Sequence, residues 1–126
     1  RLKHLLPDAE LVEEIKRLDG TPPELLENPE VVEMILRLFR ADLTVVETYP
    51  YAERPPLGCP ITAFGGVDDE DVLREELEEW EAHTSSRFRL QMMAGHHFYL
   101  YEARSQLLQA VRRDLSLAAQ RWTAHV

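Results

Sequence analysis

The chain has 126 residues, of which 44% are hydrophobic and 29% charged; this balance fits one folded domain, or part of a larger one, and excludes an intrinsically disordered chain. Its formal net charge of −9 argues against a nucleic-acid partner, because phosphates are bound mainly by basic side chains. No apolar run is long enough for a membrane span, and the single cysteine, Cys59, fits a reducing compartment, so we expect a cytoplasmic protein without a membrane partner.

Residues 1–49 predict a layer of three short amphipathic helices. Asp8 is a candidate N-cap for a first helix that Gly20 ends, and residues 21–24 (Thr-Pro-Pro-Glu) predict the start of a second. Residues 28–30 (Asn-Pro-Glu) predict the start of a third helix. Each helix carries an apolar stripe that needs a partner surface, so this layer is expected to cover another part of the protein.

Residues 50–60 contain four prolines and predict a rigid connector. Beyond it, apolar and amphipathic patterns predict a strand, a helix, a strand and a helix, at residues 61–64, 71–83, 88–93 and 98–118. Such a unit normally places its two strands parallel, which predicts an α/β fold. Two parallel strands alone leave their edges unpaired. The chain also begins with Arg1 rather than methionine, so we expect the remaining strands N-terminal to it or on another chain.

Polar loops follow both predicted strands, at residues 65–71 and 95–98. The carboxyl ends of parallel strands meet at one edge of a sheet, where α/β proteins place their ligands and catalytic groups. There a carboxylate and an imidazole form an acid–base pair that removes a proton from a nucleophile. The alternatives are a solvated acidic loop and histidines used only for packing. A metal site is not favoured, because His96 and His97 are adjacent and diverge, with no ligand at helical spacing.

A nucleophile for this pair is not evident in the sequence. No serine occurs in a G-x-S-x-G turn between a strand and a helix; the serines are Ser85, Ser86, Ser105 and Ser116. Cys59 precedes the first predicted strand and therefore lies at the wrong end of the sheet. The sequence alone therefore locates neither the nucleophile nor the backbone donors of an oxyanion hole.

Residues 57–66, with the acidic turn that follows, resemble the penultimate strand of type II thioesterases. These α/β-hydrolases accompany polyketide and nonribosomal peptide synthases. The family's final strand and the turn after it resemble residues 80–84, 88–93 and 95–100. The last of these segments is Gly-His-His-Phe-Tyr-Leu, close to the family's G-G-H-F-F-L. Parts of the family's helical lid resemble residues 4–8, 20–22 and 40–42. The resemblance implies the C-terminal part of an α/β-hydrolase fold, with a helical lid at 1–49, a connector at 50–60 and a βαβα portion at 61–126.

Within this resemblance, Asp69 and His97 are the acid and the base of a Ser–Asp–His triad. The order of the triad places its serine upstream of the sequence. Asp68 and Asp71 are alternative acids, and His96, where the family usually has glycine, is a competing imidazole.

The resemblance implies hydrolysis of acyl thioesters held on the phosphopantetheine arm of an acyl or peptidyl carrier protein, without a cofactor or metal. The isolated chain is expected to be inactive and to need the N-terminal half of the hydrolase as a partner. The alternatives are another α/β-hydrolase activity, such as an esterase or a chain-releasing thioesterase domain, and a non-catalytic interaction module.

Overall fold

The computed structural model describes residues 2–123, without the side chains of residues 121–123. The chain divides into two compact units, Arg1–Arg54 and Pro55–Val126. In the part of the chain that is described, no helix combines the length and the apolar character needed to cross a membrane.

The first unit is helical. Its elements are a 3₁₀ turn, helix α1, a second 3₁₀ turn and helix α2, at Lys3–Leu5, Asp8–Leu18, Pro23–Glu27 and Pro29–Thr48. The side-chain oxygen of Asn28 accepts hydrogen bonds from the backbone N–H groups of Glu30 and Val31, at 3.0 and 3.4 Å, and thereby caps α2. The predicted start of this helix is therefore confirmed.

Other helix boundaries in the first unit differ from the prediction. The N-cap of α1 is Pro7, not Asp8, whose side chain instead pairs with Arg40 at 2.6 Å. The helix ends before Gly20, because Asp19 adopts the left-handed conformation at φ 55°. The predicted second helix is only a 3₁₀ turn, and α2 is 20 residues long rather than short.

Glu47, in the last turn of α2, holds the first turn of the chain. Its carboxylate accepts hydrogen bonds from the backbone N–H groups of Lys3 and His4, at 2.7 and 2.9 Å, and lies 2.5 Å from Nδ1 of His4. The backbone hydrogen bond from His4 is the main cause that lowers the pKa of Glu47 to about 2. Its negative charge is thus stabilised even at the carboxyl end of a helix, where the helix dipole opposes it.

The second unit contains a parallel sheet. Strands β1 and β2 are Ile61–Gly66 and Phe88–Met93, and Gly66 lies opposite Met93 at their carboxyl ends. The remaining elements are helix α3, a 3₁₀ turn, and helices α4 and α5, at Arg74–Glu78, Glu79–His83, Tyr99–Glu102 and Arg104–Thr123. The parallel pairing confirms the prediction from the strand–helix–strand order.

Two predicted helices in the second unit differ from the structure. The helix expected from Asp71 begins only at Arg74; residues Asp71 and Val72 before it form a bend whose N–H groups donate to the side chain of Asp69. The helix expected from residue 98 is interrupted at Ala103, which is 6% exposed and packs in one core with Met93 at the end of β2. This core holds the end of the second strand and the helices that follow it.

Candidate active site

The loops that follow β1 and β2 lie side by side. An added Cβ at Gly66 would be 2.4 Å from the carbonyl oxygen of His96 and 2.6 Å from that of Gly95, so the approach requires glycine. Two residues further along the chain, the N–H of Asp68 donates to the carbonyl of Gly95 at 3.0 Å. The backbone itself therefore brings the acidic loop against the histidine loop.

Gly95 redirects the second loop. Its φ of 120° is rarely adopted by residues with side chains, and an added Cβ would lie 2.7 Å from a carboxylate oxygen of Glu102. The turn at Gly95 places His97 just before α4.

Asp69 and His97 form a hydrogen-bonded pair at this edge of the sheet. The Nδ1 atom of His97 lies 3.1 Å from Oδ2 and 3.3 Å from Oδ1 of Asp69. The side chain of Asp69 is 4% exposed, whereas that of His97 is 37% exposed. Because an ionised carboxylate only accepts hydrogen bonds, Nδ1 carries the proton and Nε2 keeps its lone pair. The arrangement is thus a buried carboxylate acceptor beside an accessible imidazole nitrogen.

The backbone fixes the carboxylate of Asp69. Its Oδ1 accepts hydrogen bonds from the N–H groups of Asp71 and Val72, at 2.9 and 3.2 Å. Sequence reasoning missed these two donors, although an Asp followed by a turn is typical of such side-chain-to-backbone bonding. They leave Oδ2 to face the imidazole.

The structure places the alternative residues differently. Asp68 is exposed, and its backbone carbonyl lies 3.1 Å from Nδ1 of His96. The ring of His96 therefore faces a peptide group, while that of His97 faces a carboxylate. The structure thus brings together the predicted pair; its catalytic role stays a prediction.

Tyr99 is a neighbour of this pair that sequence reasoning missed. Burial, followed by the negative charge of Asp69, raises the pKa of the Tyr99 phenol. The phenol is therefore neutral beside the carboxylate across the ordinary pH range. Its position two residues after His97, in the first turn of α4, was the available signal.

Ligand atoms of Asp69, Asp71 and His97 lie within 4.8 Å of one another, the one such group of three found within residues 2–123. Both oxygens of Asp69 already accept hydrogen bonds from protein groups. We therefore assign no metal to this cluster.

Candidate nucleophiles lie elsewhere in the second unit. The Oγ of Ser116 donates to a carbonyl within α5, and that of Ser85 donates to the carbonyl of Leu57. Cys59 is exposed and precedes β1, so it stands at the amino end of the strands. Among the residues described, no serine or cysteine side chain is hydrogen-bonded to the ring of His97.

A groove of about 410 Å³ also lies away from the pair. Its lining comes from the amino-terminal part of the sheet and from α5, including Cys59, Thr62, Arg89 and Asp114. Arg89 and Thr62 both donate to the carboxylate of Asp114, and the bond from Arg89 is the main cause that lowers its pKa. This cluster is charge-paired and separate from Asp69 and His97.

Comparison with known proteins identifies the family. The profile of the family described as "Thioesterase domain" matches residues 2–115. Linear gramicidin dehydrogenase LgrE of Brevibacillus parabrevis is 44% identical over 115 residues, which cover 89% of this chain and 44% of the relative. The gramicidin S biosynthesis protein GrsT of Aneurinibacillus migulanus is 39% identical over 114 residues, with coverages of 90% and 44%.

Solved structures similar to this chain are also thioesterases. The RedJ thioesterase of the prodiginine pathway in Streptomyces coelicolor superposes with a TM-score of 0.83 at 33% identity, over 90% of this chain and 46% of that one. The type II thioesterase BorB from the borrelidin cluster gives 0.79 at 42% identity, over 91% and 47%. The chain thus spans less than half the length of these relatives. The matches confirm the predicted α/β-hydrolase fold class and the resemblance to type II thioesterases: the chain belongs to the thioesterase domain family.

Proposed function

We propose that this chain supplies the acid and the base of a Ser–Asp–His triad in a type II thioesterase. The substrates are acyl thioesters on the phosphopantetheine arm of an acyl or peptidyl carrier protein in nonribosomal peptide or polyketide synthesis. The observation that carries the proposal is the contact of 3.1 Å between the buried carboxylate of Asp69 and Nδ1 of His97.

In the first half of the reaction, Nε2 of His97 accepts the proton of a serine hydroxyl while the serine oxygen attacks the thioester carbonyl carbon. Asp69 stabilises the imidazolium that forms. The tetrahedral intermediate collapses, the C–S bond breaks, and Nε2 returns the proton to the departing thiolate. The products are an acyl-serine and the free thiol of the carrier arm.

In the second half, Nε2 removes a proton from water, whose oxygen attacks the acyl-serine. Collapse of the second intermediate breaks the C–O bond, and the serine oxygen takes the proton back from His97. The carboxylic acid is released and no cofactor is consumed. The 37% exposure of the His97 side chain supports access of serine and water to this ring.

We propose that the serine and the oxyanion hole are contributed by the N-terminal half of the hydrolase, outside residues 1–126, and that the enzyme works in the cytoplasm. The relatives' greater length leaves room for these groups. The chain's net charge of −9 does not favour docking of an acidic carrier protein, so contact requires a local basic or apolar surface.

The test measures thiol release from an acyl–carrier-protein thioester by the enzyme assembled with its serine-bearing segment. We expect His97→Gln to lower kcat by about 10⁴-fold, because general-base catalysis is lost. His83→Gln, the matched control, changes a histidine that precedes β2 at the other end of the strands and should retain turnover. Residues 1–126 alone should give no turnover.

Turnover by the isolated chain that His97→Ala abolishes would contradict an external serine. Retained turnover in His97→Gln would refute the triad role. The nearest alternative activities are those of an esterase or a chain-releasing thioesterase domain. Comparing the turnover of thioesters with that of oxygen esters by the complete protein distinguishes these activities. An interaction module would bind its partner equally well with His97→Gln.

A further inference from the structure

The ring of His96 has a defined contact that the proposed triad does not use. Its Nδ1 lies 3.1 Å from the backbone carbonyl oxygen of Asp68. A carbonyl oxygen can only accept, so this contact requires a proton on Nδ1 of His96. The donor tautomer is therefore fixed by the chemistry of its partner.

This bond joins the two loops directly next to the acid. The N–H of Asp68 is already held by the carbonyl of Gly95 at 3.0 Å. With the bond from His96, Asp68 is held at both its N–H and its C=O. The next residue is Asp69, whose carboxylate faces His97.

The backbone of His96 is itself anchored. Its carbonyl oxygen accepts a hydrogen bond from the N–H of Tyr99 at 3.0 Å, at the start of α4. The same oxygen lies against Gly66, as the close approach there requires. The ring therefore reaches the acidic loop from a fixed point on the histidine loop.

We propose that His96 is a positioning residue: by donating from Nδ1 to Asp68, it keeps the acidic loop in the register that sets Asp69 opposite His97. The inference rests on the proposed triad. We assign His96 no proton transfer, because the peptide carbonyl that its Nδ1 faces carries no negative charge to stabilise an imidazolium. Its effect is on the fraction of molecules in which the acid is aligned.

Three substitutions in the assembled enzyme test this role. His96→Ala removes the donor, His96→Asn places an amide N–H where Nδ1 stood, and His96→Gln moves the amide one bond further away. We expect His96→Ala to lower kcat about fivefold with KM unchanged, because one exposed neutral hydrogen bond shifts an equilibrium by about twofold to tenfold. His96→Asn should return kcat to within about twofold of the parent, and His96→Gln should remain near His96→Ala.

A parent-like kcat in His96→Ala, or recovery by Gln equal to that by Asn, overturns the inference. A second readout needs no turnover: the ¹⁵N spectrum of labelled histidine should show neutral His96 protonated at Nδ1, and an unprotonated Nδ1 also overturns it. The two failures are distinguishable. Retained activity in His97→Gln removes the triad itself, whereas loss there with no effect of His96→Ala removes only the positioning role.

Discussion

Replacing Asp69 with asparagine changes one oxygen for an NH₂ group at nearly constant volume. If the amide oxygen takes the place of Oδ1, it keeps the two bonds from the N–H groups of Asp71 and Val72. The flipped amide would set its donors against those two donors and leave both unsatisfied, which costs about 1–3 kcal/mol for each. The first orientation is therefore strongly preferred.

In that orientation the NH₂ group occupies the place of Oδ2, 3.1 Å from Nδ1 of His97. Nδ1 must then accept, so the proton of the neutral ring moves to Nε2. The base is blocked, and the imidazolium also loses the carboxylate that stabilises it. A wrong tautomer with intact geometry lowers kcat by about 10⁴-fold in a Ser–His–Asp site, while the free energy of unfolding should change by less than about 1 kcal/mol.

The assay is thiol release from an acyl–carrier-protein thioester by the assembled enzyme, with denaturant unfolding measured on the same samples. Asp68→Asn, the control, makes the same change on an exposed side chain one residue earlier and should keep kcat within about twofold. A kcat in Asp69→Asn within tenfold of the parent, with the fold intact, would refute the assignment of the acid. A large loss only in Asp68→Asn or Asp71→Asn would move the acid to that residue.

Further predictions concern the stability of each of the two units. Gly66→Ala should lower the free energy of unfolding by about 3 kcal/mol or more, because its Cβ would overlap backbone atoms that cannot move aside. Gly58→Ala, the control, has open space around the added Cβ and should change the free energy of unfolding by less than about 1 kcal/mol. Equal effects of the two substitutions would contradict the close approach at Gly66. Glu47→Gln should lower stability at neutral pH, because the carboxylate bound by Lys3 and His4 has a pKa of about 2, below its ordinary 4.5. The stability difference between the parent and Glu47→Gln should be complete above pH 4.5 and should decrease as the pH falls towards 2. A stability difference that does not depend on pH would contradict this role of Glu47.

Sequence patterns predicted the strands of the second unit and their parallel pairing, because alternation and the spacing of a strand–helix–strand unit depend on local periodicity. They also predicted that the acidic loop and the histidine loop would share one edge, since both follow the carboxyl ends of neighbouring strands; the choice of Asp69 and His97 within these loops came from the resemblance to type II thioesterases. The short length of α3 was not predictable in the same way. The sequence pattern is helical over residues 71–83, whereas the bend at Asp71 and Val72 and the 3₁₀ turn at Glu79–His83 are seen only in the coordinates.

Tyr99 and the break at Ala103 were missed for a related reason. Periodicity marks the whole segment as helical, whereas the interruption occurs where a small side chain packs in a buried core beside the end of β2. The different contacts of His96 and His97 also required coordinates: the ring of His96 faces a peptide group and the ring of His97 faces a carboxylate.

The two peptide donors on Oδ1 have a practical consequence for engineering. Since two main-chain N–H groups hold Oδ1 of Asp69, the direction of this carboxylate depends on residues 71 and 72 keeping both donors. Among the active members of a library randomised at positions 71 and 72, proline, which has no N–H to donate, should therefore be depleted.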